Sequence, residues 1–206
     1  MKKEDEKDAI NMLININQRL VLDNKEHIKK YYRIRDLHLQ VIKKMSKYIQ
    51  TGKFPVEKYF SIAAEEFKRE LNNQEFKIDN TKYPDNIIFD ELFMYKNHEQ
   101  IPSLTEIFIE KKKCKEINQI KLLEAMNEST VGLFKIKKCD SINGYVTIEK
   151  VFTNKEYKII DISLSSTYMI HKNDVIYMYN RIITYDGISF GTGIPIVISE
   201  NCKRLK

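Results

Sequence analysis

Histidines, cysteines and paired carboxylates are the residues of this 206-residue chain best equipped for chemistry, and their spacing argues against it. His27, His38, His98 and His171 form no H-E-x-x-H and no i, i+4 pair, so no helix face offers two imidazoles to a zinc ion. Cys114, Cys139 and Cys202 lack a C-x-x-C, the other spacing that a structural zinc site uses. Cys114 stands beside a lysine run that would lower its pKa, although an ordinary thiol fits the same position. Glu65-Glu66 and Asp90-Glu91 are sequence neighbours; on a helix such neighbours point about 100° apart and do not converge on one substrate. Asp161, with Ser163, Ser165 and Ser166 close behind, is the most polar cluster beside an apolar strand. An aspartate there accepts hydrogen bonds from the following amides and pins a turn; the alternative is a ligand or metal site at a barrel mouth. There is no G-x-x-x-x-G-K-[ST] and no G-x-S-x-G, and Gly191-Thr192-Gly193 lacks the third glycine of a dinucleotide site. No catalytic residue, cofactor or metal is expected, and the chain reads as a non-enzymatic binding module.

Binding chemistry is better represented. Lys+Arg number 35 against 29 Asp+Glu, a net charge of +6 with a pI near 9.0, which favours acidic partners. The excess is local: residues 19–58 hold 11 basic and 4 acidic side chains, and residues 131–206 hold 11 and 7. At about 100° per residue, Lys29, Arg33, Gln40, Lys43, Lys44 and Lys47 share one face of a helix starting after Asp23 or Asn24. Tyr31, Ile34, Val41, Ile42, Met45 and Ile49 lie opposite. The basic stripe suits phosphate; a solvated face is the competing reading. Arg35 and His38 fall on the apolar side. Arg35 is expected to pair with a carboxylate or to snorkel, and His38 to be a core histidine with its hydrogen bonds satisfied. Further along, Tyr177, Tyr179 and Arg181 alternate on one strand face. Tyr145 and Tyr157 belong to neighbouring strands, and Lys135, Lys137 and Lys138 to the first strand. Stacking aromatics and phosphate-binding cations are what single-strand binding on a small barrel needs, but tyrosine is also simply a good strand former.

The elements that must position these residues change character near residue 130. Before it, apolar residues recur at three- and four-residue spacing. After it, β-branched and aromatic residues alternate between turns. Helices are expected over 5–21, from Asp23 or Asn24 to Gln50 with a stop at Thr51-Gly52, over 55–72, and over 85–96. Another starts at the capping-box sequence Ser103-Leu104-Thr105-Glu106 and breaks near Lys111-Lys112-Lys113, before a last helix through Met126. Strands are expected over 131–138, 145–152, 156–162, 174–184 and 188–198. Asn143-Gly144 and Asp186-Gly187 are expected as two-residue turns, residues 163–173 as a loop or a helical turn, and Gly191 and Gly193 as a bulge or bend.

The expected fold is therefore α+β. A helical domain, 1–130, precedes a small antiparallel five-stranded β-barrel, 131–206, either OB-like with a shrunken helix between strands three and four, or SH3-like. The favoured function is nucleic-acid binding, to DNA or RNA, through Lys29, Arg33, Lys43, Lys44 and Lys47 with Tyr177, Tyr179 and Arg181. A protein-interaction adaptor is the alternative. No apolar run approaches 18 residues, the lysine-rich start lacks an apolar signal region, and the cysteines are odd in number. A cytoplasmic, membrane-free protein with reduced thiols is expected. Abundant Lys, Ile and Asn without Trp suggest a low-GC bacterial source.

Overall fold

Helical spacing gives way to strand spacing at residue 130, where the apolar pattern changes period. The computed structural model describes residues 21–58, 61, 62, 65, 102–151, 153–167, 176–192 and 196–199. The helices expected over 5–21 and 85–96, most of 55–72, His98, His171 and Cys202 lie outside the described residues.

The long amphipathic helix α1 runs Glu26–Gln50 and buries Ile28, Ile34, His38, Val41 and Met45, a helical spacing that keeps one face inward. Its N-cap is Lys25, without a side-chain cap; Asp23 instead accepts a hydrogen bond from the Tyr32 hydroxyl at 2.9 Å. Thr51-Gly52 does end it. The Thr51 and Gly52 amides return to Tyr48 and Ile49, and Gly52 takes the left-handed conformation. Helix α2, Leu104–Glu110, begins with the expected capping box: Glu106 N–H donates to Ser103 Oγ and Ser103 N–H to Glu106 Oε2. The chain breaks at the lysine run, with Lys112 left-handed, and α3 follows at Ile117–Asn127.

Strands β1 (Thr130–Asp140), β2 (Tyr145–Lys150) and β3 (Lys155–Ile160) form an antiparallel meander. The first half of β1 pairs with β4 (Ile176–Tyr185) and its second half with β2. The sheet order is β3-β2-β1-β4-β5, with β5 being Ile188–Gly191. The sheet curls until its two edges, β3 and β5, come into contact without pairing. A short helix α4, Ile162–Thr167, stands between β3 and β4. The single fifth strand expected over 188–198 is two segments, since β5 and β6 (Ile196–Ser199) pair with opposite halves of β4. Tyr179 faces Ile196 and Ile182 faces Gly191; the bulge or bend expected at Gly193 lies outside the described residues.

Asp186-Gly187 is a two-residue turn with both residues at positive φ. Asn143-Gly144 is not. Asp140 pairs with Tyr145, which makes a four-residue loop, and only Gly144 is left-handed. Asn143 is drawn back onto Asp140, donating from its backbone N–H at 3.1 Å and from Nδ2 at 2.7 Å. These bonds hold the Asp140 carboxyl below its ordinary range.

Both faces of the curled sheet are covered. Phe134, Ile136, Val146, Ile148, Ile159, Ile176, Met178 and Ile182 fill its concave side. Ile160, Ile183, Ile188 and Phe190 point the other way, into a core shared with α1, α2 and α3. The helices and the sheet therefore share one core across residue 130. Among the described residues no helix is long and apolar enough to cross a membrane.

Candidate functional site

The exposed lysines gather where α1 and α2 both end. Lys43, Lys44 and Lys47 lie on the solvent side of the last turns of α1. The α2–α3 connection brings Lys111, Lys112 and Lys113 to the same place: Lys111 Nζ reaches the Tyr48 hydroxyl, and Lys113 Nζ lies 5.4 Å from the Tyr48 ring centre. Lys44 Nζ donates to Oε1 of the buried Gln119 at 2.6 Å, which ties α1 to α3. Lys43, Lys47 and Lys112 make no side-chain hydrogen bond or ion pair among the described residues. A helix C-terminus carries roughly half a negative charge. Counting Lys115, seven lysines outweigh two helix ends, Glu110 and Glu116, by about four charges. This surface therefore keeps a positive field after its lysines have compensated the helix ends.

The other half of the predicted stripe is different. Lys29 is paired with Glu26 at 2.9 Å, and Lys30 with Asp186 at 2.8 Å. Arg33 is exposed on the rim of an open groove of about 840 Å³ between α1, the start of α3 and the β4–β5 turn. Glu26, Glu116 and Asp186 line the same groove, so cations and carboxylates alternate there.

The barrel residues proposed for stacking are largely covered. Tyr179 and Arg181 are each 4% exposed and Tyr177 is half-buried, so Tyr179 offers no open ring and Arg181 no open guanidinium to an incoming base or phosphate. Arg181 Nη1 donates to Ser129 Oγ at 3.0 Å. The outward face of β4, which also carries Ile183, is packed rather than presented to solvent. Tyr145 and Tyr157 do lie on paired strands but face opposite ways. Tyr145 stacks on His27 at 5.0 Å with 8° between the planes, and Tyr157 meets Phe134 edge-on inside the curl. Lys137 is paired with Glu149 at 3.1 Å.

The two residues on the apolar side of α1 form its joint with the sheet. Arg35 Nη1 donates to the Gly191 carbonyl at 3.0 Å, and its guanidinium sits 5.4 Å from the Phe190 ring centre. Among the described residues it forms no close ion pair; half-buried, it caps an edge carbonyl of β5. On the opposite face of β5 from Phe190, a Cβ on Gly191 would run into Asn180 Nδ2, so a larger residue there must displace that amide. His38 is 3% exposed and meets Phe190 edge-on, but among the described residues both ring nitrogens lack a hydrogen-bond partner, contrary to the satisfied histidine expected. Burial first, and then the Arg35 charge, push its pKa down to about 3, so the ring is neutral. Asp161 behaves as a turn residue: its Oδ1 accepts from Leu164 N–H at 2.9 Å, while Ser165 and Ser166 hydroxyls return to the Ile162 carbonyl. Burial raises the Cys114 thiol pKa, with Lys44 only partly opposing it, and carries Cys139 up to about 11. Neither thiol is activated. Among the described residues no group of three or more His, Cys, Asp or Glu can hold a metal.

Sequence reasoning missed Tyr48 and the lysine run as parts of one surface. The run showed only as a helix break and as the neighbour of Cys114, although the capping box, by fixing where α2 starts, also fixes where those lysines emerge.

Fold and surface together define a protein that packs a basic amphipathic helix across a curled antiparallel sheet. Residues 25–205 match the model of a family described as Family of unknown function (DUF7986), and the chain belongs to that family. No curated protein and no solved structure matches it.

Proposed function

We propose that the protein binds nucleic acid, with the lysine surface at the ends of α1 and α2 as its contact. The observation that carries this reading is that Lys111 and Lys113 close on Tyr48 in the last turns of α1, the turns that also expose Lys43, Lys44 and Lys47. Lysine is a compact, strongly hydrated point charge well suited to phosphate. Lys29 and Arg33 are peripheral to this contact, because their neighbourhood is charge-balanced. For the barrel, the helix between β3 and β4 and the near closure of β3 on β5 support the OB-like alternative over the SH3-like one. The cytoplasm is the compartment that such a binder and its thiols suit.

The test compares salt elution from immobilised DNA with elution from a plain cation exchanger. The protein is expected to leave the DNA at clearly higher salt; equal elution from the two would remove the reading. One observation favours an adaptor instead: the groove has an apolar floor of Ile34, Leu37 and Ile188, with Ile117 63% exposed nearby. An adaptor would capture one defined protein and would elute alike from both columns.

A further inference from the structure

We infer that the lysine surface grips the phosphate backbone without reading bases, so that the protein binds polynucleotides irrespective of sequence; this rests on the nucleic-acid reading above. Sequence is read by forked or amide side chains at base edges, and single strands are held by open aromatic rings. The surface supplies no arginine fork and no open ring, and its exposed amides, Gln40 and Gln50, stand singly on α1. Its cations are lysines. Gln119, the amide beneath them, is 1% exposed and already engaged by Lys44. Its ring, Tyr48, is met edge-on by Phe108 at 5.6 Å and overhung by Lys111 and Lys113.

The barrel does not supply a platform either, because α1 occupies the loops that frame its mouth. In OB barrels the β1–β2 and β4–β5 loops flank the oligonucleotide cleft. Here Lys25 Nζ donates to the Ile142 carbonyl and Asn143 Oδ1, both at 2.6 Å, and His27 Nε2 lies 2.9 Å from the Asn143 carbonyl. Lys30 holds Asp186 in the other loop. Tyr145, the ring nearest that mouth, lies between partners: His27 stacks on it and Lys158 Nζ is 3.9 Å from its centre. Among the described residues, Tyr48, Tyr145 and Tyr179, the rings that a base would need here, are already in use.

The experiment is a fluorescence-anisotropy titration of the full chain. Its probes are two duplex DNAs of unrelated sequence and equal length, and oligo-dT of the same length. Affinities for the two duplexes are expected within about threefold. With six lysines at most in contact, log K should fall against log salt with a slope no steeper than about −5. The variant Lys43→Gln/Lys47→Gln/Lys112→Asn removes only lysines without side-chain partners among the described residues, and asparagine tolerates the left-handed φ of Lys112. It is expected to weaken binding to all three probes alike, while circular dichroism shows the fold retained. A tenfold or greater preference between the duplexes overturns the inference, as does binding reduced by Tyr145→Leu but not by the lysine variant. No binding to any probe removes the nucleic-acid reading itself, and this inference with it.

Discussion

The start of α1, with its N-cap, carries five cations and its end three, and they are used differently. In the first half every cation but one faces a partner within the chain: Lys25 the β1–β2 loop, Lys29 Glu26, Lys30 Asp186 and Arg35 the β5 edge. Arg33 stands over a groove with carboxylates on its walls. In the second half Lys43 and Lys47 face solvent, and the neighbouring α2–α3 turn adds further lysines. One helix thus acts as a clasp at its start and as a charged surface at its end. A stripe that is uniform on a helical wheel is not uniform in the fold, because what packs against each turn decides whether a cation is spent or available.

Breaking the clasp should give the largest effect on stability. Phe190 is fully buried and touches Tyr31, Arg35 and His38 at once. Phe190→Ala is expected to cost about 3–5 kcal/mol in urea unfolding; a loss under about 1 kcal/mol would mean that α1 is not held there.

His38 sharpens the same joint through pH. Its folded-state pKa is depressed to about 3 from the ordinary histidine value of 6.5, so the unfolded chain binds the extra proton between those values. Stability should be unaffected by this residue above pH 6.5 and should fall as the pH drops toward 3. The limiting slope is about 1.4 kcal/mol per pH unit for one proton. His38→Leu should flatten the decline and, by removing two unsatisfied buried nitrogens, should not lower stability at neutral pH. An unchanged pH profile in that variant would show that the imidazole is solvated or bonded.

Smaller effects belong to the frame that delivers the lysine turn. Ser103→Ala removes half of the α2 capping box and is expected to cost about 1 kcal/mol in thermal or urea unfolding. The smallest is the Lys30–Asp186 pair, whose side chains are 42% and 63% exposed. A double-mutant cycle there should return less than about 1 kcal/mol of coupling, reduced further in high salt.

What the sequence made legible was local. The capping box, the Thr51-Gly52 stop, the Asp186-Gly187 turn and the inward face of α1 each depend on residues within a turn or two of one another. What escaped it depends on contacts far apart in the chain. Arg35 and Gly191 are 156 residues apart, and Lys44 and Gln119 are 75 apart. Alternation on β4 put Tyr179 and Arg181 on one face, as the strand has it. Alternation carries no information on whether a second layer covers that face, and here both faces of the sheet are packed. Asn143-Gly144 went astray for a local reason, since Asp140 competes for Asn143 and lengthens the loop.

The contrast between the halves of α1 is tested most directly by two salt titrations against one duplex DNA. One uses Lys43→Gln/Lys47→Gln/Lys112→Asn and the other Lys29→Gln/Arg33→Gln. Each phosphate contact contributes a slope of about −0.9. The first variant is expected to lower the magnitude of the slope by about two to three, and the second by less than one. Equal losses, or a larger loss from the second variant, would contradict the placement of the contact at the end of the helix. A wild-type protein with no salt-dependent binding would contradict the function itself.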